Sequence, residues 1–330
     1  MTPATGAAVF AVDPVGLGGV VLRAASAQAR EDWLAALRGL LAPGGPLRRV
    51  PLHIDDAALL GGLDLGATLQ AGRPVVRPGL LAQADGSVLV LPMAERASPA
   101  LAARIAAVLD SGEVVLQRDG VALSRPARIG LVVYDEAREA DESVPAALAD
   151  RLALHLDLGA GDALHGLPWP DRAEIEAAQL RLPRVTCGDA ILQALCAAAQ
   201  ALGVGSLRAP LLAVRVARVL AALDGAGEVT AEHASAAARL VLGPRATRAP
   251  AGDSEEAAAG DDASQEPQEA SAPPDPPPPG EGPQPAGDAT ADDRTSRAPD
   301  PQDLADAVLA VAGGCPRGPR TEDQPRRRGR

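Results

Sequence analysis

LDLGATLQAGRP, residues 63–74, opens the stretch that decides the fold of this chain. It leads to the apolar run VLVL (88–91) and, beyond a helical segment from Ser98 to Leu109 and a hairpin-like GEVVLQRDG (112–120), to a second apolar run, IGLVVY (129–134). Short, fully apolar runs separated by a helix are typical of the central strands of a parallel sheet. The sequence therefore predicts the core of an α/β domain.

Composition excludes several classes of function. The 330 residues include 31 basic and 43 acidic side chains, a net charge of −12, which argues against a nucleic acid or an acidic membrane as partner. With 1 Phe, 1 Tyr and 2 Trp, the chain lacks platforms for stacking bases, and its core must be built from Leu, Val and Ala. No apolar run reaches the roughly 18 residues of a membrane span, and the N-terminus lacks a signal pattern, so we expect a cytoplasmic protein.

Two residue types are missing altogether. The sequence contains no lysine and no asparagine, so every basic side chain other than histidine is arginine. A phosphate-binding loop of the G-x-x-x-x-G-K-[ST] type needs its lysine to reach the nucleotide phosphates, and this chain cannot supply one. Lysine Schiff-base chemistry is excluded for the same reason. Cys187, Cys196 and Cys315 show no C-x-x-C spacing, and we interpret them as small apolar residues in a reducing compartment.

The N-terminal region has the order of a nucleotide-binding unit without its chemistry. A strand is predicted at Gly19–Arg23 and a helix from about Asp32 to Leu41, so a phosphate loop would fall at Ala24–Glu31. That segment contains neither glycine nor lysine, and the glycines at 16–19 precede the strand instead of following it. A second strand is predicted at Arg49–Ile54.

The C-terminal half divides into a helical part and a polar tail. Alternation at Leu152–Leu158 predicts a strand with His155 and Asp157 on one face, a pair that alone makes a weak case for a metal site. The helical part, predicted over residues 166–245, follows an α/β core over 1–165. A disordered, acidic, Pro-rich linker is predicted over 246–301, and a short helix with a basic tail over 302–330. The four predicted helices are Asp171–Leu180, Ala190–Leu202, Leu211–Leu223 and one N-capped by Thr230 that runs to Leu242.

Two segments carry a family resemblance. The stretch GLDLGATLQAGRPVVRPGLL (62–81) and the sequence LADR (148–151) resemble the AAA+ module of magnesium chelatase subunits, and among these the D type of the bacteriochlorophyll pathway, in which the AAA+ ATP site is degenerate. The resemblance spans about Val9 to Arg245. It implies an AAA+ type parallel sheet flanked by helices, with a small helical lid bundle and a disordered acidic Pro-rich tail.

The resemblance also implies a site that cannot hydrolyse ATP. The family's phosphate loop falls at residues 24–31, which lack the required side chains. Where an active subunit carries Asp-Glu after its Walker B strand, here 88–91, this chain has Pro92 and Met93. Both Mg²⁺ coordination and water activation depend on those carboxylates. Asp135 stands near the position of the sensor asparagine.

Two arginines match functional positions of the family. Arg151 falls at the arginine finger, which would act in trans beside a neighbour's γ-phosphate, and Arg208 falls at the sensor-2 arginine. Each could equally be an exposed arginine that pairs locally. The resemblance implies a hetero-oligomeric ring with the active I-type ATPase subunit, ATP and Mg²⁺ at the shared interface, and a porphyrin-binding H-type subunit in the complete complex, which inserts Mg²⁺ into protoporphyrin IX.

One departure leaves a second hypothesis open. D-type subunits continue into an integrin-I-like domain with an Asp-x-Ser-x-Ser motif, and no such motif follows Pro301, so we expect the chain to correspond to the first half of such a subunit. The alternative is an AAA+-derived, MoxR-like adaptor or scaffold with no chelatase role. An active ATPase is the third possibility, against which the missing lysine argues.

Overall fold

The computed structural model describes residues 2–24, 26–42, 47–118, 121–139, 142–159 and 169–248. Its strands are short, as is usual for a twisted sheet covered by helices. They are β1 (Gly19–Arg23), β2 (Leu47–Arg49), β3 (Gly61–Leu63), β4 (Val76–Pro78), β5 (Val88–Leu91), β6 (Glu113–Arg118), β7 (Val121–Pro126), β8 (Gly130–Asp135) and β9 (Leu154–Asp157).

The helices cover both faces of the main sheet, and the last four form a bundle that packs against it. They are α1 (Pro3–Val12), α2 (Ala27–Leu40), α3 (Asp56–Leu60), α4 (Leu65–Ala71), α5 (Leu80–Gln83), α6 (Pro99–Ser111), α7 (Ala146–Ala149), α8 (Arg172–Arg181), α9 (Asp189–Ala201), α10 (Arg208–Leu223) and α11 (Ala231–Val241).

Five parallel strands form the main sheet in the order β2-β5-β8-β1-β9. In the register, Gly19 lies beside Leu131 and Arg23 beside Asp135. Because all pairs are parallel, the strands begin at one edge, here called the amino edge, and end at the other, the carboxyl edge. The predicted α/β class is confirmed, and both apolar runs, 88–91 and 129–134, supply central strands.

The two faces of the sheet bury separate apolar clusters. Side chains alternate along the strands, so that Leu22 and Val132 face one cluster while Val21 and Leu131 face the other. The first cluster includes residues of α1, α2 and α8–α11, and the second is covered mainly by α5 and α6. Trp33 is fully buried in the first cluster, where its indole Nε1 donates a hydrogen bond to the carbonyl of Pro3 at 3.0 Å. One continuous core therefore joins the sheet to the C-terminal helices.

Helices α8–α11 form a bundle, called the lid bundle below. Two of these helices begin with a capping box: Asp171 with Glu174 at α8, and Thr230 with His233 at α11. The long helix α10 begins at Arg208, three residues before the predicted Leu211, and buries an apolar stripe against its neighbours. Within the described residues the four predicted helices are present.

A small insertion lies between β2 and β5. The antiparallel pair β3–β4 encloses α4, whose N-cap is the side chain of Asp64. No residue of α4 is buried, and Leu65 and Leu69 are 68% and 84% exposed. This helix is therefore held by its flanking strands and not by packing.

Two sequence predictions need correction. Helix α2 begins at Ala27 and not near Asp32, because Ser26 caps it and draws most of the expected loop into the helix. The predicted strand over 49–54 ends at Arg49, and a turn follows at Pro51, which has no N–H for a sheet ladder.

Several predictions lie outside the described residues. These are the boundary at 165/166, nearly all of the 246–301 linker, the 302–330 tail, and Cys315. Among the described helices, none is both long and apolar enough to cross a bilayer.

Candidate functional site

The start of α2, at the carboxyl edge, occupies the position of a phosphate loop. The Ser26 side chain accepts a hydrogen bond from the backbone N–H of Ala29 at 3.1 Å. A helix N-terminus binds an anion through N–H groups that are still free, and here a side chain of the same chain already takes one of them. The sequence also supplies no lysine that could reach a phosphate at this position.

An ion pair lies in the space next to this helix start. Arg30 Nη2 lies 2.9 Å from Glu136 Oε2, and the guanidinium carbon of Arg30 lies 5.6 Å from the centroid of the Tyr134 ring. Burial, followed by the charge of Glu31, raises the pKa of Tyr134 to about 12. Tyr134, at the end of β8, and the following Glu136 therefore both contact Arg30 of α2.

The end of β5 lacks the acidic pair that would hold Mg²⁺. Met93 has a left-handed backbone (φ 49°) and is 38% exposed. The nearest carboxylate along the chain, Glu95, has a buried side chain whose Oε2 accepts from the backbone N–H of Glu136 at 3.1 Å. Its Oε1 has no hydrogen-bond partner and lies 3.7 Å from Arg96 Nε. Within the described part of the chain, no cluster of three potential metal ligands occurs.

The two arginines singled out from the sequence lie together at the amino edge. Both bind Asp110, near the end of α6. Arg151 approaches Asp110 Oδ2 through Nε at 2.9 Å and through Nη2 at 2.5 Å, and Arg208 Nη1 lies 3.0 Å from Oδ1. The hydrogen bond from Arg151 lowers the pKa of Asp110 and outweighs the opposing effect of burial; the positive charges of Arg151 and Arg208 lower it further. One carboxylate thus joins an arginine of the core to an arginine of the lid bundle.

A second carboxylate completes this cluster. Arg208 Nε lies 3.4 Å from Asp150 Oδ2, while the hydroxyl of Ser206 donates to Asp150 Oδ1. The same hydroxyl accepts from the backbone N–H groups of Arg208 and Ala209, at 3.2 and 3.3 Å, and so caps α10. The core and the lid bundle therefore meet at two arginines, two aspartates and one serine.

Sequence reasoning identified the arginines and missed their partners. Asp150 precedes Arg151 and could have been found by its position. Asp110 is 41 residues from Arg151 in the chain, and nothing in the sequence around it indicates a salt bridge. They are brought together only because the end of α6 packs beside the segment that leads into β9.

The sheet separates the arginine cluster from the phosphate-loop position. Arg151 precedes β9, and the backbone N–H of Ala153 donates to the carbonyl of Leu17, just before β1 begins. The phosphate-loop position follows the other end of β1. At roughly 3.3 Å per residue, a five-residue strand places these two edges about 15 Å apart. The arginines are therefore not arranged to serve a nucleotide bound at this chain's own phosphate-loop position.

The arginine cluster is open to solvent on one side. The side chains of Arg151 and Arg208 are 22% and 41% exposed. Beside Asp110 lies an open groove of about 710 Å³, whose lining also includes Val15, Glu113 and Arg215. This edge has room for a group from outside the chain.

Comparison with known proteins agrees with this architecture. The family model described as an AAA lid domain matches residues 192–269. A solved structure from Cytophaga hutchinsonii, assigned as an ATPase, superposes with a TM-score of 0.55 at 12% identity, covering 74% of this chain and 84% of that one. The chain has an AAA+ fold.

Relatives of this AAA+ chain include magnesium-chelatase subunits. It is 40% identical over 240 residues to the magnesium-chelatase 60 kDa subunit of Rhodobacter capsulatus, covering 72% of this chain and 40% of that protein. For the 60 kDa subunit of Cereibacter sphaeroides the identity is 43% over 256 residues, covering 76% and 40%. The 38 kDa subunit of Rhodobacter capsulatus is 29% identical over 66% of this chain and 69% of its own length. The AAA+ chain thus spans about 40% of the length of its 60 kDa relatives.

Proposed function

We propose that this chain is a non-hydrolysing AAA+ subunit of a magnesium chelatase, the complex that inserts Mg²⁺ into protoporphyrin IX at the expense of ATP. It would assemble in a ring with an active I-type ATPase subunit, and with a porphyrin-binding H-type subunit in the complete complex. The relatives named as 60 kDa and 38 kDa magnesium-chelatase subunits support the choice of complex.

One observation carries the assignment of a role in trans. Arg151 and Arg208 converge on Asp110 at the amino edge, whereas the phosphate-loop position lies at the carboxyl edge and is occupied by the capped start of α2. An arginine pair that is remote from its own chain's nucleotide position can meet a phosphate only on another subunit.

The proposed role is electrostatic. An arginine beside the γ-phosphate of a neighbour's Mg²⁺-ATP stabilises the negative charge that develops in the transition state of hydrolysis. Arg151 would contribute that charge, and Arg208 would orient the same phosphate from the lid bundle. Before either can do so, Asp110 must release part of its hydrogen bonding, since its two oxygens engage both guanidinium groups.

The test is the ATPase rate of the cognate I-type subunit, measured with and without this chain. We expect the chain to change the ATPase rate. With Arg151→Ala, that change in rate should be smaller by about tenfold or more, in line with the large effects of arginine fingers. Arg172→Ala is the matched control, since Arg172 lies on the lid surface and, among the described residues, pairs with Glu176 one turn along the same helix.

Two outcomes would contradict the proposal. If the chain neither alters the rate nor co-elutes with the I-type subunit, a scaffold role with another partner is favoured. ATP turnover by the isolated chain would show that its phosphate-loop position is functional after all.

A further inference from the structure

Arg245, in the short 3-10 turn that follows α11, makes an unusually complete set of hydrogen bonds. Its Nη1 donates to the carbonyls of Val241 and Ala153 at 2.6 and 3.2 Å. Its Nη2 donates to the carbonyls of Ala149 and Leu152 at 3.0 and 2.5 Å. All four hydrogens on these two nitrogens are therefore directed at backbone oxygens.

Three of those four carbonyls belong to residues 149–153, called the Arg151 loop below. This loop connects the end of α7 to the start of β9, where carbonyls have no partner within a helix and not yet one in the sheet. Because an unpaired buried carbonyl is costly, a guanidinium that bonds three of them, sharing that of Ala149 with the His155 ring, fixes the path of the loop. The fourth acceptor, Val241, lies at the end of α11 and ties the loop to the lid bundle.

The same loop is also held from its other side. Asp150 binds Ser206 and Arg208 at the start of α10, and Arg151 binds Asp110 in the core. The lid bundle thus contacts the Arg151 loop at two places, the beginning of α10 and the turn after α11. Movement of the bundle is expected to move the loop with it.

We propose that Arg245 is the positioning residue for Arg151, fixing the backbone that carries it and coupling its placement to the lid bundle. The inference rests on the proposed role of Arg151 in trans. Arg245 itself touches no nucleotide. It acts by fixing the position and orientation of the Arg151 side chain beside a neighbour's phosphate. Displacements of about 1 Å from such a geometry lower the rate on the order of 100-fold.

The test compares Arg245→Met and Arg245→Lys with a matched lid arginine, Arg218. Arg218 also donates to backbone carbonyls, of Val185 and Leu182 at 3.1 and 3.2 Å, but both lie within the lid bundle. Arg218→Met therefore removes two bonds of the same kind, against four in Arg245→Met, without touching the Arg151 loop.

Two readouts are needed. In the isolated chain, hydrogen exchange of the amides at 149–153 should accelerate about tenfold or more in Arg245→Met, and less in Arg218→Met. In the reconstituted ATPase assay, Arg245→Met should lose about tenfold of the stimulation in kcat with little change in KM. Arg245→Lys, with three donors and no planar fork, should fall between the native chain and the methionine variant.

Failure of the inference can be told from failure of the proposed function. If Arg151→Ala abolishes stimulation while Arg245→Met behaves like Arg218→Met in both readouts, the positioning role is wrong and the proposed function stands. If Arg151→Ala has no effect, the proposed function is wrong, and only faster exchange at 149–153 would remain as support for a structural clamp.

Discussion

Single residues at the amino edge show how charge is balanced in this chain. Two arginines and two aspartates, Arg151, Arg208, Asp110 and Asp150, form a cluster with no net charge. Each pair is at least partly exposed, so its contribution to stability is small. The value of the cluster lies in geometry, because it holds two guanidinium groups side by side.

His155 gives a pH prediction at the same scale. Burial, with the charge of Arg245, lowers its pKa from 6.5 to about 3, and its Nε2 bonds the carbonyl of Ala149 at 3.1 Å. Between these values the unfolded chain binds a proton that the folded chain does not, so stability falls as pH falls below 6.5. We expect this residue to remove about 1 kcal/mol of unfolding free energy between pH 7.5 and 5.5.

Urea unfolding of the native chain and of His155→Gln at the two pH values measures this contribution. The variant should lose less stability on acidification, by about that amount. Identical losses in the two proteins would mean that His155 titrates normally in the folded state.

At the scale of elements, the start of helix α2 offers a test of how much its capping side chain contributes. Ser26 caps the helix through the N–H of Ala29, so Ser26→Ala should lower the unfolding free energy by about 1 kcal/mol. Ser26→Asp retains an acceptor and should stay close to the native value. Chemical denaturation of the three proteins measures these differences. An alanine variant with the same unfolding free energy as the native chain would show that the cap contributes nothing.

Elements were predictable to different extents. The central strands β5 and β8 were found because a run of buried apolar residues leaves a pattern of its own, as at 88–91. The start of a helix was predicted correctly where a capping side chain is recognisable in the sequence, as Thr230 is. Where the cap was not recognised, as at Ser26, the predicted start was several residues too late. Asp110 and Arg245 were out of reach, because their roles depend on partners 41 and more than 90 residues away in the chain.

For the molecule as a whole, the shared core predicts how it unfolds. Trp33 of α2, Leu22 of β1 and Val216 of α10 belong to one buried cluster, so neither the sheet nor the lid bundle has a complete core alone. We expect the part of the chain that the structure describes to unfold in one cooperative transition, with matching calorimetric and van't Hoff enthalpies. Two resolved peaks in scanning calorimetry would show that the lid bundle is an independent unit.

The capped start of α2 has a consequence for any ring that contains this chain. In the proposed ring, this chain would offer Arg151 to the neighbour on one side and, without a phosphate loop of its own, would receive no such assistance from the neighbour on the other. A wave of hydrolysis passing from subunit to subunit would end at each copy of this chain. ATP hydrolysis would then pass in one direction within each group of active subunits that lies between two copies of this chain. The number of such groups would equal the number of copies in the ring.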